Sequence, residues 1–382
     1  MEMPAKKLGY GMMRLPKLKI DGKITMDYET VNHLVDAFME RGFQYFDTAF
    51  PYCKGCSEEA IRRCLTERYD RDSFYLTNKM SAHMLQHPEE VEPKFQEQLK
   101  KCGVSYFDNY LVHNMGTENY KRAVEWGIFE WVQGLRERGL VKHIGFSFHD
   151  QPELLDRILT EHPEMEYVQL QINYSDWENP AIRSRECYEI AVKHGKKVIV
   201  MEPLKGGTLA NVPESVQALL KSYHPDMSVA SWGIRFAASL EHVVMVLSGM
   251  STMEQVLDNA EYMTDFQPLT KEELAVIDQA MKVMCQSEDI PCTACGYCVE
   301  GCPKKIAIPE YFALYNADQR VSAGFTSHVV YYGNYIKEHG KASDCIGCKK
   351  CEKSCPQHLQ ITEHLKKVAE RFESYCSEVD LN

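Results

Sequence analysis

The chain between residues 44 and 52 reads as a short buried strand that ends in a carboxylate, followed by a loop that carries a tyrosine: Gln44-Tyr45-Phe46-Asp47-Thr48-Ala49-Phe50-Pro51-Tyr52. A charged Asp at the end of an apolar strand costs free energy unless it is paired. Two later predicted strands supply partners, because residues 74–78 lead into Lys79 and residues 110–112 lead into His113. Successive strand ends therefore present a carboxylate and a phenol, then an ammonium, then an imidazole.

These four side chains together form a coherent proton donor. A tyrosine is a weak acid with a pKa of about 10, and a neighbouring ammonium such as that of Lys79 lowers that pKa towards neutrality. Asp47 would keep Lys79 charged, and His113 would orient a carbonyl and share the proton. A carbonyl that accepts a hydride needs such a group, because its oxygen must be protonated as the hydride arrives. The alternative is a set of unrelated buried ion pairs.

In these residues the chain resembles the aldo-keto reductases. The resemblance consists of Asp47 and Tyr52 in Asp-Thr-Ala-x-x-Tyr, Lys79 in Thr-Asn-Lys and His113 in Leu-Val-His, in the family's order. It implies an oxidoreductase that reduces an aldehyde or ketone to an alcohol by hydride transfer from NAD(P)H, with Tyr52 as the proton donor. Substrate loops vary freely on such a fold, so the substrate stays open.

The order of the predicted elements indicates the fold class. From Leu8 onwards, short apolar strands alternate with helices, which predicts a parallel sheet. Eight such units in about 250 residues make a closed (β/α)8 TIM barrel, with catalytic residues at the carboxyl ends of the strands. We expect this barrel in residues 1–285, with a turn at residues 19–23 and one helical region at 216–239. An open doubly wound sheet is the alternative, but no Gly-x-Gly-x-x-Gly follows the first strand.

The resemblance also implies which residues hold a nicotinamide cofactor. Ser147 and Gln169 would bond the nicotinamide amide, and Met201 falls where the family usually has a stacking aromatic ring. Asn173 would line the site. The set expected to contact the cofactor is Gly11, Met12, Ser147, Gln169, Met201, Pro203, Leu204, Gly206, Ser248, Gly249, Gln255 and Asn259. The family's common 2′-phosphate signature, Lys-Ser and Arg, is replaced by Gly249-Met250 and Gln255, so NADP and NAD both remain open.

Eight of the fifteen cysteines lie in two C-terminal runs of identical spacing. Both runs read Cys-x-x-Cys-x-x-Cys-x-x-x-Cys-Pro, which is highly specific for paired [4Fe–4S] clusters in which the fourth cysteine of each run ligates the other cluster. Zinc is the alternative, because Cys-x-x-Cys pairs also bind it. The spacing predicts one cluster on Cys292, Cys295, Cys298 and Cys355 and a second on Cys345, Cys348, Cys351 and Cys302.

Residues 286–382 therefore form the second predicted domain. A long insert separates the two cysteine runs, with predicted helices at residues 309–317 and 329–338, and another helix is predicted at residues 361–372. The segment resembles an α-helical ferredoxin more than a compact βαβ ferredoxin. The two resemblances together indicate an aldo-keto reductase fused to a small, mostly α-helical, bacterial-type 2[4Fe–4S] ferredoxin domain.

Charge and cysteine usage limit the partners and the compartment. The formal net charge of −12 argues against nucleic acids and anionic membranes as partners. No apolar run reaches the roughly 20 residues of a membrane span, and no apolar signal region follows the N-terminus. The many thiols and the cluster motifs indicate a reducing, anaerobic compartment, so we expect the protein in the cytoplasm. Cys53 and Cys56 are either a redox or metal pair or variable positions of the loop after Tyr52.

Two functions of different classes fit this sequence. The first is an NAD(P)H-dependent carbonyl reductase whose clusters are structural, regulatory or a docking site for a partner. The second is an electron-transfer reductase, in which ferredoxin or another redox protein feeds single electrons through the clusters to a flavin or substrate at the barrel mouth. No flavin-specific motif is recognisable. A non-catalytic assembly protein is a third reading, and the complete set of four residues speaks against it.

Overall fold

Eight parallel strands close into a barrel in the computed structural model, which describes residues 3–20, 22–285, 289–319 and 326–379. The barrel strands are β1 (Leu8–Gly11), β4 (Tyr45–Asp47), β5 (Tyr75–Met80), β6 (Phe107–Met115), β7 (Val141–Phe148), β8 (Tyr167–Gln171), β9 (Lys197–Met201) and β10 (Val243–Ser248), and β2 (Lys17–Ile20) and β3 (Lys23–Met26) lie outside the barrel. Strands β4 to β10 pair in chain order, and β1 pairs with both β4 and β10 to close the ring. The predicted (β/α)8 fold is confirmed.

Helices surround this barrel. They are α1 (Tyr28–Glu40), α2 (Ser57–Ile61), α3 (Val91–Cys102), α4 (Thr117–Glu125), α5 (Ile128–Glu137), α6 (Pro152–Glu161), α7 (Ser184–Lys193), α8 (Glu214–Tyr223), α9 (Val229–Ala238), α10 (Met253–Thr264) and α11 (Lys271–Cys285). Helix α1 shows how the sequence specifies them. The Asp27 side chain caps it by accepting a hydrogen bond from the Thr30 amide at 3.0 Å. Its buried face follows helical spacing and comprises Val31, Leu34, Val35, Ala37 and Phe38.

Two local features differ from the sequence-based expectations. The turn predicted at residues 19–23 joins β2 and β3, which form an antiparallel hairpin beside the barrel that the sequence did not predict; Asp21 lies outside the described residues. The single helical region predicted at residues 216–239 is two helices, α8 and α9. Helix α8 ends at Tyr223, two residues before Pro225, because a proline disfavours helical backbone in the residue that precedes it.

Apolar side chains fill the barrel interior. They are Tyr45, Leu111, Tyr167, Ile199, Met245 and Leu247. Two glycines make room for them. A Cβ atom at Gly145 would lie 2.4 Å from the carbonyl oxygen of Tyr167, and a Cβ atom at Gly9 would lie 2.8 Å from Leu247. Gly9 and Gly145 therefore serve the packing of the lumen.

A helical module follows the barrel, as predicted. Its helices are α12 (Ile308–Gln319), α13 (Ser327–Glu338), α14 (Lys350–Ser354) and α15 (Ile361–Val379). Helix α12 is buried on all sides, which suits a helix with apolar residues all round. The apolar core of the module also includes Ala181 and Ile182 of the barrel, so the two parts share a packed interface. The predicted boundary falls where α11 ends, and residues 286–288 lie outside the described residues.

None of the helices in the described residues has the length and apolar character needed to cross a lipid bilayer.

Candidate functional site

The structure brings Asp47, Tyr52, Lys79 and His113 together at the carboxyl ends of the barrel strands. The Lys79 ammonium lies 2.5 Å from a carboxylate oxygen of Asp47 and donates to the carbonyl of Thr48 at 2.9 Å. The same nitrogen lies 4.7 Å from the centre of the Tyr52 ring. The Tyr52 ring meets the His113 ring edge-on, with 6.0 Å between their centres. An ammonium, a phenol and an imidazole therefore border one small space.

Burial dominates the electrostatics of this group. Desolvation lowers the pKa of Lys79, but Asp47 and Tyr52 together outweigh it, so the net pKa is raised and the amine stays charged. Burial raises the pKa of Asp47, and the ion pair with Lys79 opposes that rise. Burial also raises the pKa of Tyr52, with Lys79 again in opposition. The sequence predicted a pKa of Tyr52 lowered towards neutrality. Lys79 does act in that direction, but desolvation exceeds its effect.

A buried polar network positions Lys79 from behind. The side-chain amide of Gln98 donates to the carbonyl of Lys79 at 2.9 Å and to Asn78 at 3.2 Å. The Asn78 amide in turn donates to the carboxyl of Glu58 at 2.9 Å, and the hydroxyl of Tyr110 donates to Gln98. All four partners are buried. Sequence reasoning missed this network because its members look like ordinary polar helix and strand positions until the elements pack.

His113 is held in a defined orientation by Ser81, a residue that the sequence did not single out. The Ser81 hydroxyl bonds Nδ1 of His113. If that hydroxyl donates, Nδ1 is the acceptor and the proton of the neutral ring sits on Nε2. Burial, Lys79 and the nearby rings of His83 and His149 hold the pKa of His113 well below its usual value. His113 is therefore a neutral donor at physiological pH.

The loop that carries Tyr52 is anchored at both ends. The hydroxyls of Thr48 and Ser57 lie 2.7 Å apart. Between them Cys53 and the residue after it adopt left-handed backbone conformations, with φ of 53° and 56°, which non-glycine residues rarely adopt. Cys53 and Cys56 are both thiols without a disulfide.

Ser147 and Gln169 lie side by side on β7 and β8, next to this group. The Gln169 amide is 3.5 Å from the second carboxylate oxygen of Asp47. The Ser147 hydroxyl accepts a hydrogen bond from the Asn114 amide at 2.7 Å. Both side chains are buried at the mouth of the barrel, where they border the space beside Asp47.

The residues at the end of β1 and directly after it differ in which of their groups a ligand could contact. Gly11 lies level with Asp47 in the strand register. The side chain of Met12 is fully buried in the core, so only its backbone is available at the mouth. Arg14, which the sequence did not single out, is exposed two residues further on.

Three of the predicted cofactor residues lie at the end of β9 or in the loop after it, namely Met201, Pro203 and Leu204. Met201 ends the strand and is partly buried. Pro203 is buried, and its carbonyl oxygen, like a methyl group of Leu204, would clash with a Cβ atom at Gly233. The absence of a side chain at Gly233 thus lets α9 pack closely against this loop and determines the position of its backbone.

Asn173 belongs to a second buried polar cluster. Its amide donates to Asp176 at 3.0 Å, and the amide of Gln171 donates to the same carboxylate at 2.9 Å. Lys205 forms an ion pair with Asp176, and both side chains are buried. Asn173 therefore supports the loop that contains Gly206, rather than presenting its amide to open space.

The predicted residues around β10 are tied to one another. The amide of Asn259 donates to the Ser248 hydroxyl at 3.0 Å, and its carbonyl accepts from the hydroxyl of Tyr262 at 2.6 Å. The side chain of Gln255 accepts from the Ser251 amide at 2.7 Å and so holds the start of α10. Asn259 is buried and Gln255 is exposed. Both the nitrogen and the oxygen of the Asn259 side chain therefore form hydrogen bonds within the barrel wall.

Arg14 crosses between the two glycine loops that the sequence assigned to a dinucleotide. A Cβ atom at Gly206 would lie 3.2 Å from a guanidinium nitrogen of Arg14, and one at Gly249 would lie 3.4 Å from the Arg14 side chain. Gly206 also has a left-handed φ of 68°. Within the described part of the chain, no carboxylate lies within 4 Å of this guanidinium. The glycines and the cation together form an open, positively charged cradle.

Helix α13 of the module packs on the mouth of the barrel. The Ser327 hydroxyl donates to the carboxyl of Glu202 at 3.0 Å. The side chain of Asn334 donates to the carbonyl of His149 at 2.8 Å. Burial raises the pKa of Glu202, which also has a left-handed φ of 56°. Nothing in the sequence indicated that the module would contact the loops beside the tetrad, the group formed by Asp47, Tyr52, Lys79 and His113.

The eight C-terminal cysteines line two cavities, each with about 320 Å³ of space that is partly open to solvent. The first is lined by Cys292, Cys295, Cys298 and Cys355. The second is lined by Cys302, Cys345, Cys348 and Cys351. Each cavity thus combines three cysteines of one run with the last cysteine of the other.

The shape of these cavities bears on the metal. A zinc ion needs its thiolates within about 2.3 Å of one point. Across the described residues, no three His, Cys, Asp or Glu side chains converge in that way. Each cavity is lined by four cysteines, which is the number of thiolates that a [4Fe–4S] cluster takes.

A comparison with protein families bears on the identity of the barrel. A model described as the aldo/keto reductase family matches residues 7–282. This chain belongs to the aldo/keto reductase family. It is accordingly an oxidoreductase. A second model, described as a 4Fe-4S dicluster domain, matches residues 291–361, so the module is a ferredoxin-type iron–sulfur domain.

Individual aldo-keto reductases resemble the chain at low identity. The Bombyx mori aldo-keto reductase AKR2E4 is 25% identical over 263 residues, which cover 64% of this chain and 80% of that protein. The structure of AKR11C1 from Bacillus halodurans in its holo form matches with a TM-score of 0.57 at 22% identity, over 73% of this chain and 95% of that one. An aldo-keto reductase from Klebsiella pneumoniae in complex with NADPH matches with a TM-score of 0.55 at 19% identity, over 72% and 90%.

Proposed function

We propose that the barrel reduces an aldehyde or ketone to an alcohol with NAD(P)H. The observation that carries the proposal is the placement of Lys79, whose ammonium contacts Asp47 and faces the ring of Tyr52, with His113 across the same space. Such a group can deliver a proton to an oxygen that gains negative charge.

Each residue has a separate task. A bound nicotinamide would supply the hydride to the carbonyl carbon. Tyr52 donates its phenolic proton to the carbonyl oxygen, and Lys79 stabilises the phenolate that remains. His113, with its proton on Nε2, donates a hydrogen bond that orients the same oxygen. Asp47 keeps Lys79 charged in a site that would otherwise favour the neutral amine.

The cradle formed by Arg14 fits a dinucleotide. Glycines at positions 206, 207 and 249 leave the backbone uncovered, and the Arg14 guanidinium is free to contact phosphate oxygens. Ser147 and Gln169 would hold the nicotinamide end beside Asp47. The K. pneumoniae neighbour forms a complex with NADPH, and we propose NADP or NAD for this chain.

We propose two [4Fe–4S] clusters in the module. Each cavity supplies four thiols, three from one run and one from the other. A cluster exchanges single electrons, whereas the barrel handles hydride. The clusters therefore act as structural centres or as a contact for a redox partner. Because such clusters need a reducing environment, we place the protein in the cytoplasm.

The decisive experiment compares Tyr52→Phe with wild type in anaerobically purified protein. Both are assayed with NADPH and NADH against a broad panel of aldehydes and ketones. We expect the variant to lose about 100-fold to 10,000-fold in kcat, the usual contribution of a general acid, while dinucleotide binding is kept. Tyr223→Phe, on the exposed surface of α8, is the matched control and should retain full activity. Wild-type protein that neither turns over any carbonyl nor binds either dinucleotide would contradict the proposal.

A second candidate function is supported by the position of α13 beside the tetrad. In it, a reduced ferredoxin feeds single electrons through the clusters to a flavin or substrate held in the barrel mouth. It predicts FMN or FAD binding and turnover with reduced ferredoxin. NADPH-driven turnover that persists when the cluster cysteines are substituted would exclude it.

A further inference from the structure

We propose that the rim of the second cysteine cavity is the docking surface for a small acidic electron-carrier protein that exchanges one electron at a time. This lysine rim comprises Lys304, Lys305, Lys349, Lys350 and Lys353. The inference goes beyond carbonyl reduction in the barrel. It rests on the cluster assignment proposed above, and not on the identity of the barrel substrate.

Charge distinguishes this rim from the rest of the molecule. The chain as a whole carries a formal net charge of −12, yet all five lysines of the rim are exposed, and Lys305, Lys350 and Lys353 each lie within four residues of a lysine that lines the cavity. Lys304 and Lys349 line the cavity itself. Lys349 has Glu352 at 3.7 Å, whereas in the described part of the chain no carboxylate lies within 4 Å of the other four. The rim is therefore a local positive field on a negative protein.

The fold, rather than the sequence, gathers these lysines. Lys304 and Lys305 follow the first cysteine run, and Lys349, Lys350 and Lys353 lie within the second. The Cβ atom of Lys350 would lie 3.9 Å from a Cβ atom at Gly301, so the two segments adjoin. The crossing of the two cysteine runs thus places both lysine groups at one cavity.

The same opening exposes apolar surface and cysteine. Ile346 is 62% exposed, which is unusual for a large aliphatic side chain, and Cys348 beside it is exposed as well. The first cavity differs: Tyr297 at its edge is 64% exposed, but none of its described lining residues is a lysine. Only the second cavity therefore combines an apolar contact with positive charge.

These features fit a transient complex with an acidic carrier. Redox partners form small, polar interfaces, and complementary charge steers their encounter. An acidic carrier is repelled by most of this chain and attracted at the rim, so it would arrive in one orientation. The exposed Ile346 supplies the apolar centre of the contact. One electron would leave the carrier and enter the module, and no atom or proton would be transferred.

The test uses cluster-loaded, full-length protein and a purified acidic flavodoxin as the probe. The triple variant Lys305→Glu, Lys350→Glu and Lys353→Glu reverses the rim without altering a residue that lines the cavity. The matched control is Lys19→Glu, Lys271→Glu and Lys282→Glu, which makes the same change in net charge at exposed sites on the barrel. The readouts are the dissociation constant and the rate of cluster bleaching by reduced flavodoxin, each over a series of KCl concentrations.

We expect the rim variant to bind flavodoxin at least about tenfold more weakly and to lose most of the salt dependence, and the control to change far less. Bleaching by dithionite should be equal in all three proteins, which shows that the cluster itself is intact. Equal losses in the rim and control variants would overturn the proposal. So would equally tight binding of polyglutamate, RNA or basic cytochrome c. Wild-type protein that carries no iron and shows no visible absorbance from iron–sulfur clusters would overturn the cluster assignment and the docking surface together, but would leave the barrel reaction untouched.

Discussion

Lys79 illustrates at the scale of one residue how the mouth of the barrel is held together. Its ammonium is fully buried, and a buried charge is tolerated only when it is paired and hydrogen-bonded. Asp47 supplies the pair, the carbonyl of Thr48 supplies a further acceptor, and Gln98 fixes the backbone. The contacts that stabilise the charged amine therefore also hold it in position facing the Tyr52 ring.

The first prediction concerns this ion pair. Lys79→Met should lower the free energy of unfolding by about 3–5 kcal/mol, because it leaves the Asp47 carboxylate buried without a partner. The double variant Lys79→Met with Asp47→Asn should be more stable than Lys79→Met alone. Urea denaturation of wild type, Lys79→Met, Asp47→Asn and the double variant measures the coupling free energy between the two side chains. Additive losses would show that the two residues do not act as a pair.

The second prediction concerns Arg14. A hydrogen bond to a charged group contributes about 1.5–3 kcal/mol, so Arg14→Ala should raise the KM for the dinucleotide roughly 10-fold to 150-fold. The kcat should change little, because Lys79 and His113, rather than Arg14, are the side chains that face the Tyr52 ring. Arg14→Lys should restore part of the affinity. A larger loss with NADPH than with NADH would assign Arg14 to the 2′-phosphate, and equal losses would assign it to the pyrophosphate. An unchanged KM for both would remove Arg14 from the site.

The third prediction concerns pH. Burial lowers the pKa of His83 and of His149 to about 4, whereas an unfolded histidine titrates near 6.5. The unfolded state therefore binds more protons between pH 6.5 and 4. Above pH 6.5 both histidines are neutral in the folded and the unfolded state, so the free energy of unfolding has its full value. Below pH 6.5 each histidine lowers the free energy of unfolding by about 1.4 kcal/mol per pH unit.

Urea denaturation at pH 7 and pH 5 tests this. The variant His83→Gln with His149→Gln should lose less stability than wild type over that interval. His87→Gln, at an exposed position, should behave as wild type. An identical pH dependence in all three would show that neither buried histidine is responsible.

At the scale of elements, the strand ends were the part of the site that the sequence could predict. Asp47, Lys79 and His113 follow apolar runs, and parallel strands must deliver their carboxyl ends to one face. The cysteine spacing likewise predicted that the last cysteine of each run would lie with the first three of the other, because this pattern is also contained in short stretches of sequence. Arg14 and Ser81 carry no such signal, since their roles arise only when distant loops meet. The two-helix structure of residues 216–239 was missed because apolar periodicity continues past Pro225.

The fourth prediction concerns β7. Gly145→Ala should destabilise the barrel by several kcal/mol, because its Cβ would lie 2.4 Å from the carbonyl oxygen of Tyr167 and the packed lumen has no room to shift. Gly134→Ala in α5 is the matched control. Among the described residues, no atom outside its chain neighbours and its own helix backbone lies within 4 Å of the added Cβ, and alanine favours a helix by roughly 1 kcal/mol over glycine. Thermal denaturation should move in opposite directions for the two variants. A neutral Gly145→Ala would contradict the packing described for the lumen.

For the whole molecule, the consequence of the packing of α13 is that barrel and module are coupled. Asn334 bonds a carbonyl in the loop after β7, and Tyr335 bonds the carbonyl of Ala181 at 3.2 Å. Each such bond contributes about 0.5–1.5 kcal/mol, and the shared apolar core adds to them. Bound clusters would stabilise the module in turn, because a metal centre that binds only the folded state adds its binding free energy to folding.

The fifth prediction follows from this coupling. Removing iron with a chelator should lower the melting temperature of the barrel as well as that of the module, since α13 is then no longer held against the mouth. In the double variant Asn334→Ala with Tyr335→Phe, the barrel should melt lower even with iron present, and chelation should lower it by less than in wild type. Glu338→Ala, an exposed residue on the same helix, is the control and should respond as wild type. Tryptophan fluorescence reports the barrel, because all four tryptophans lie between residues 126 and 232, and visible absorbance reports the clusters. If the melting temperature of the barrel does not change with iron in any variant, the module does not affect barrel stability. A decrease that is smaller in the double variant than in wild type would show that cluster binding stabilises the loops around Tyr52.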